Sequence, residues 1–295
     1  MKKIVKAVIP AAGLGTRMLP IAHAVPKEML PIVDRPAISF LIDECVAAGI
    51  TDILIITNRD KDAIEDYFDY APEYEGQLAA KGKNAQIEEI RNNANRANIF
   101  FIRQREARGL GHAVGRAREF TGDDPFMVLY GDDIIFSKKP VCAQLMEAYE
   151  KYGLPSVAVN EVSLELVYKY CTLGVNKLEE RIYRVFDMIE KPKPEQVMSR
   201  FSILGRVLLT SDIYDVLEKI PPGSGGEIQL TDAMGVLARS GGVTAVDFEG
   251  RRYDMGSKLG FLMANVERGV THTETAEDFK AFLSEFVANN FEITP

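Results

Sequence analysis

Two β-branched, apolar segments, residues 4–9 (IVKAVI) and 52–57 (DILIIT), flank a stretch whose apolar residues recur at helical spacing. In VDRPAISFLIDECVAAGI (33–50), Ile38, Leu41, Ile42, Cys45 and Val46 fall at i, i+3, i+4, i+7 and i+8. This spacing predicts a helix with one buried stripe, capped by Asp34, with Pro36 near its first turn and Gly49 as its stop. A strand, a helix and a second strand in this order need a crossover, so the two strands pair in parallel. An α/β sheet is therefore the frame into which every later motif has to fit.

More elements of the same kind follow. Residues 61–68 read as a helix, IFFIRQ (99–104) as a strand, 110–120 as a helix, and PFMVLY (125–130) as a strand ending at Gly-Asp-Asp. SVAVNEV, RVFDMIE and SILGRVLL are later strand candidates. A helix at 256–268 would carry Leu259, Leu262, Met263 and Val266 on one face, and Phe279, Phe282, Leu283 and Phe286 form a last apolar face in a C-terminal helix within about 270–295. Residues 71–98 are polar, an excursion from the core and a candidate subunit contact. With no repeat and no linker, the 295 residues are expected to form one domain.

Charge and cysteine content narrow the function. A net charge of -8 disfavours a nucleic-acid or anionic-membrane surface, so neither partner is expected. Any polyanionic ligand would have to be held by local groups. Cys45, Cys142 and Cys171 are too few and too scattered for a disulfide framework or a zinc site, which suits reduced core thiols and a cytoplasmic location. Lys2, Lys3 and Lys6 precede an apolar stretch, but Pro10, two glycines and Arg17 interrupt it, unlike a secretory signal. No run is long enough to span a membrane.

The first chemical motif is Ala11-Ala12-Gly13-Leu14-Gly15-Thr16-Arg17, directly after the first strand. Glycines there let backbone N–H groups approach a phosphate, and an adjacent arginine adds a charge-assisted contact. A dinucleotide fingerprint competes, because Gly13-Leu14-Gly15 begins G-x-G and Asp34 lies nineteen residues beyond Gly15. Position 18 is Met, however, and Pro20, Pro26, Pro31 and Pro36 fill the region where that motif needs a helix. What remains is a proline-stiffened loop ending in Pro26-Lys27-Glu28-Met29-Leu30-Pro31.

The run AAGLGTRMLP…PKEMLPIVDRP closely resembles the signature of the bacterial sugar-nucleotide pyrophosphorylases, and its Pro-Lys-Glu-Met form is most similar to their uridylyltransferase branch. QREARGLGHAV, VLYGDDII, MIEKPKP, ILGRVLL, PPGSGGEIQLTDAM and YDMGSKLGFLMANVERG agree in order, over roughly residues 4–270. The resemblance implies a single-domain, Rossmann-like α/β nucleotidyltransferase fold with a mixed, mostly parallel sheet flanked by helices. It further implies a homodimer or homotetramer that joins UTP and glucose 1-phosphate into UDP-glucose and pyrophosphate with Mg²⁺. Thymidylyl or other nucleotidyl transfer on the same fold, or a weakly active regulatory relative, is the alternative.

Such a reaction brings two polyanions together, so cations and a metal should dominate the site. Arg17 and Lys27 are assigned to the β- and γ-phosphates and the leaving group, and Lys191 to the sugar phosphate. The loop residues Ala12, Gly13 and Gly15 would cradle the nucleotide, with Glu28 as contact or buttress. Gln104 and Gly109 match the family's base-reading pair. Asp132, at a strand's carboxyl end where open α/β sheets bind ligands, is the first Mg²⁺ candidate, and Asp254 the second, with helix capping as its other role. Glu190, Gly174 and Gly205 match the sugar pocket. Pro192 is expected to hold Lys191 extended. Around Leu173-Gly174 and Arg200–Val207 the chain departs from the family pattern. His23 and His112 are assigned to capping or packing.

Overall fold

The computed structural model describes residues 2–291, and its centre is a nine-stranded sheet. From one edge the order is Asn98–Arg103, Asp52–Thr57, Lys6–Pro10, Phe126–Leu129, Phe201–Leu209, Ser156–Glu161, Val243–Asp247, Ile182–Glu190 and Cys171–Glu179. Lys6–Pro10 pairs in parallel with both neighbours, Asp52–Thr57 with Asn98–Arg103, and Val243–Asp247 with Ser156–Glu161. Phe201–Leu209 and Ile182–Glu190 alone run against their neighbours, so the sheet is mixed but most strands share one direction.

Strand side chains alternate between faces, and the core divides accordingly. Ala7, Ile9, Ile53, Ile55, Met127 and Leu129 join one apolar cluster, while Val8, Leu54, Ile56, Val128 and Val157 join the other. Both faces are covered by helices, which is why these strands read as unbroken apolar runs. Cys45, Cys142 and Cys171 are buried and free. Among the described residues no helix is long and apolar enough to cross a membrane.

The first helix spans Ala37–Ala47 and buries Ile38, Leu41, Ile42 and Cys45, but Val46 is exposed. Its start also differs from expectation. Pro31–Ile32 and Arg35–Pro36 form a small antiparallel ribbon around a tight turn at Val33-Asp34, with Val33 at φ 61°. That pairing leaves Pro36, not Asp34, at the cap, and the Asp34 carboxylate instead lies 3.2 Å from His272 Nε2.

The polar excursion is two helices, Pro72–Ala80 and Asn84–Ala94, joined by an Arg91–Glu75 ion pair at 2.8 Å. The helix expected over 110–120 breaks into Leu110–Gly115 and Arg118–Thr121, because the Arg116 and Ala117 N–H groups bond three residues back.

Toward the C-terminus, Lys258–Gly269 and Ala276–Asn290 are helices. The face formed by Leu259, Leu262, Met263 and Val266 points away from the core, since all four are exposed. Gly260 and Ala264 face inward instead, and a Cβ on Gly260 would collide with the Asp254 carbonyl oxygen. Only small residues fit where the helix approaches that backbone so closely. Phe282 and Phe286 are exposed too, 5.7 Å apart between ring centroids.

Candidate active site

Past Pro10 the chain leaves the sheet in a loop held by three single 3-10 turns, Thr16–Met18, Ile21–His23 and Lys27–Met29. Gly15 makes the turn possible at φ 67°, where a side chain would be strained and would also press on Ala22 at 3.2 Å. Ala11 still follows the ladder, its N–H donating to the Ile56 carbonyl at 2.8 Å. Beneath the loop, the Lys61 ammonium donates to the Ala11 carbonyl and to Glu28 Oε2, the latter at 2.7 Å. Burial pushes the Glu28 carboxyl up and the Lys61 ammonium down, against their mutual attraction. Removing either partner would strand a buried charge, so the pair braces the loop.

A cavity of about 410 Å³ brings together Ala12, Gly13, Gly15, Glu28, Gln104 and Gly109, with Lys27, Tyr130 and Asp132 also in its lining. At one side sits a compact charge cluster. Lys27 Nζ is 2.5 Å from Asp132 Oδ2, Arg17 Nη1 is 2.8 Å from Asp254 Oδ2, and Arg17 Nη2 is 3.6 Å from Asp132. Burial raises the Asp132 carboxyl, but the Lys27 and Arg17 charges outweigh it and hold the group below its ordinary range. Burial likewise works against the Lys27 ammonium, yet Asp132 and Glu28 hold it above its usual value.

Gly256 gives this cluster its space. A Cβ there would lie 2.6 Å from Arg17 Nη2, 2.7 Å from Asp132 Oδ2 and 2.9 Å from Asp254 Oδ1. Two carboxylates from distant segments thus converge on one point. The Met255 N–H donates to the Asp132 carbonyl at 2.8 Å, and the Gly256 N–H to Asp254 Oδ1 at 2.8 Å. Helix capping falls to Ser257, whose hydroxyl accepts from the Gly260 N–H, so Asp254 is left for the cluster.

Asp133 turns the other way. Its Oδ1 accepts from Arg252 at 2.7 Å, and its carbonyl accepts from Arg206 Nη1 at 2.9 Å. Arg206 is fully buried and is held by Glu44 at 2.6 Å. Despite Arg252, burial together with the Asp132 and Asp254 charges raises the Asp133 carboxyl to about 6. The two adjacent aspartates therefore split roles: Asp132 reaches the charge cluster and Asp133 anchors its base. Gly205, at φ 75°, would with a Cβ lie 2.5 Å from Asp133 Cβ, so its close approach is to this anchor.

Gln104 follows the strand Asn98–Arg103 and is buried. Its Nε2 donates to the Gly109 carbonyl at 3.3 Å and lies 2.9 Å from His112 Nδ1. The expected Gln104 and Gly109 pair is thus in contact, and His112 joins it instead of merely packing. Gly109, at φ 100°, crosses residue 228 so closely that a Cβ would lie 2.7 Å from the Ile228 carbonyl oxygen.

The candidates for the sugar are more dispersed. Glu190 is largely buried, and burial raises its carboxyl although Thr231 and Lys191 oppose the rise. Lys191 is exposed at φ 45°, so it is not extended as Pro192 suggested, and its N–H donates to the Tyr170 carbonyl at 2.7 Å. A Cβ on Gly174 would overlap the Phe186 ring and come 2.9 Å from Met198 Sδ. None of Lys191, Glu190, Gly174 and Gly205 lines the 410 Å³ cavity. Tyr130 is a residue that sequence reasoning missed. It lines the cavity, and burial followed by neighbours that include Glu190 and Asp132 pushes its hydroxyl well up. Lys61, Arg252 and Gly256 were missed as well; only Gly256 carried a signal, its place beside Asp254.

The nucleotidyl transferase family matches residues 6–268. The UTP–glucose-1-phosphate uridylyltransferase YngB of Bacillus subtilis is 48% identical over 97% of this chain and 96% of its own. A second Bacillus subtilis protein, UTP–glucose-1-phosphate uridylyltransferase, is 47% identical over 99% of this chain and 100% of its own. Among solved structures, a UTP-bound UGPase from Acinetobacter baumannii superposes with a TM-score of 0.89 at 35% identity, over 96% of this chain and 99% of that one. A UDP-glucose pyrophosphorylase complexed with UDP-glucose gives 0.81 at 40% identity, over 89% and 97%. With a cationic loop after the first strand, two converging carboxylates and relatives alike along nearly its whole length, the chain belongs to the nucleotidyl transferase family.

Proposed function

We propose that this protein is an enzyme that transfers a uridylyl group from UTP to glucose 1-phosphate, giving UDP-glucose and pyrophosphate. The observation that carries this reading is the cluster of Lys27, Arg17, Asp132 and Asp254 beside the glycine-lined cavity. A phosphate oxygen of glucose 1-phosphate would attack the α-phosphorus, and the bond to the β-phosphate would break as pyrophosphate leaves. The nucleophile is already an anion, so no general base is needed. Positioning and charge neutralisation supply the catalysis.

Lys27 and Arg17 are the cations for the β- and γ-phosphates, and Gln104 with Gly109 reads the base. Lys191 and Glu190 would serve glucose 1-phosphate. Asp132 and Asp254 suit Mg²⁺, because one or two carboxylates with phosphates and water complete its shell. The metal would neutralise charge on the phosphates. Buried free thiols support a reducing, cytoplasmic setting. Two apolar clusters on the faces of one sheet support a single domain. Exposed Leu259, Leu262, Phe282 and Phe286 support a homodimer or homotetramer.

The test is a panel of UTP, dTTP, ATP, CTP and GTP, each with glucose 1-phosphate and Mg²⁺, scored by pyrophosphate release. UTP should outperform the rest. A preference for dTTP or ATP would overturn the uridylyl assignment.

A further inference from the structure

Gln104 Nε2 faces two atoms, the Gly109 carbonyl oxygen at 3.3 Å and His112 Nδ1 at 2.9 Å. A carbonyl oxygen can only accept, so the Gly109 contact identifies this end of the amide as NH₂. His112 Nδ1 then accepts as well, which puts the ring proton on Nε2 and leaves the imidazole neutral. The other end, Oε1, has no partner among the described side-chain hydrogen bonds and is not a buried orphan. It is therefore accessible, and Gln104 lines the 410 Å³ cavity.

We infer that His112 is a positioning residue for base selection: its Nδ1 locks the Gln104 amide with Oε1 toward the base, where it accepts from a uracil N3–H. This rests on the proposed uridylyl transfer. Cytosine presents an acceptor at N3, so the locked oxygen meets a lone pair and rejects it. Protonating His112 turns Nδ1 into a donor. The amide then gains by rotating its oxygen toward the ring, and its NH₂ faces the base, where it suits cytosine and repels the uracil N3–H.

The surroundings favour the neutral ring. Burial first, then Arg108 and Arg116, push His112 below its ordinary value, with Glu106 opposing. Across the cleft that His112 lines, Glu218 is ion-paired to Arg118, and the Tyr214 hydroxyl is hydrogen-bonded to Thr121. Glu227, on the segment crossing Gly109, accepts from the Gln229 amide at 3.1 Å. None of these carboxylates bonds the ring among the described residues.

The experiment measures the ratio of kcat/KM for UTP to that for CTP, with glucose 1-phosphate, between about pH 5 and 8. Taking the ratio cancels the shared ionisation of the triphosphates. In the wild-type chain the ratio should hold through the ordinary histidine range and fall only at lower pH, where the ring, held below its ordinary value, protonates. His112→Leu should lower it about tenfold at every pH, the scale of one buried hydrogen bond. His112→Asn has nearly the same shape as that variant but carries Oδ1 where Nδ1 lay, so it should restore the ratio and remove its pH dependence. Gln104→Ala is the control for base reading. If it lowers the ratio while His112→Leu matches wild type, the positioning role is overturned and base reading stands. If Gln104→Ala changes nothing, the base reading itself falls. Should His112→Leu fail to fold, His112→Ala takes its place, and a ratio equal to wild type in that variant overturns the proposal.

Discussion

Lys27 Nζ stands 2.5 Å from Asp132 Oδ2, joining two segments 105 residues apart at the edge of the cavity. Each holds the other in its charged form against burial. Under the proposed function, phosphate oxygens entering the cavity would compete with Asp132 for the ammonium. A metal entering with them would take the carboxylate that the ammonium releases. The pair thus keeps both charges oriented and ionised.

Lys27→Ala should impair use of UTP and, in reverse, of pyrophosphate, by roughly ten- to hundredfold, the scale of a charge-assisted phosphate contact. Lys191→Ala should instead raise KM for glucose 1-phosphate and leave UTP affinity near normal, since Lys191 lies outside the cavity lining. Titrating each substrate separately into each folded variant reads the contrast. Equal loss of UTP affinity in both would move Lys191 to the nucleotide site.

Asp132→Asn keeps the shape of the side chain and removes its charge, so turnover should fall at least about a hundredfold while the fold survives. Circular dichroism checks the fold and pyrophosphate release the rate. Near-normal turnover at limiting Mg²⁺ would transfer the metal role to Asp254.

Gly256→Ala tests the convergence of charges directly. Its Cβ would enter within 3 Å of groups on Arg17, Asp132 and Asp254, at 2.6, 2.7 and 2.9 Å. Arg17 is the most exposed of the three and should be displaced first. Activity should drop by roughly tenfold or more, on the scale of one displaced charged contact, with little change in melting temperature. An unchanged rate would mean the cluster can open without cost.

How much of this was legible depends on whether the signal was local. Gly15 and the strand before it could be read because a left-handed turn after a buried strand leaves its mark in adjacent residues. The Asp34 cap could not, because a ribbon between Pro31–Ile32 and Arg35–Pro36 competes with it. Helical periodicity found the apolar face of Leu259, Leu262, Met263 and Val266, but periodicity does not say which surface covers such a face. Close packing on the Asp254 backbone selected Gly260 for the inside, and Ala264 is buried one turn on. Lys61 lacks any pattern at all: a lone lysine before a short helix becomes informative only when Glu28 is seen 2.7 Å away. His112 acquires meaning through Gln104, eight residues back in sequence, once that amide is seen to lie between the Gly109 carbonyl and the His112 ring.

Asp133 supplies a prediction about stability and pH. Its carboxyl is raised to about 6 when folded, above the ordinary value of about 3.9 expected of the unfolded chain. Between those values the folded state binds the extra proton, so this group's stabilisation is complete below about pH 4 and is lost as pH rises through about 6. Asp133→Asn cannot ionise and should flatten that part of the stability curve, while lowering stability overall because Arg252 loses its buried partner. Urea midpoints for wild type and variant at matched pH values read both effects. If the wild-type curve instead gained from Asp133 as pH rose from 4 to 6, Arg252 would be outweighing burial, and Asp133 would be an ionised anchor across the working range.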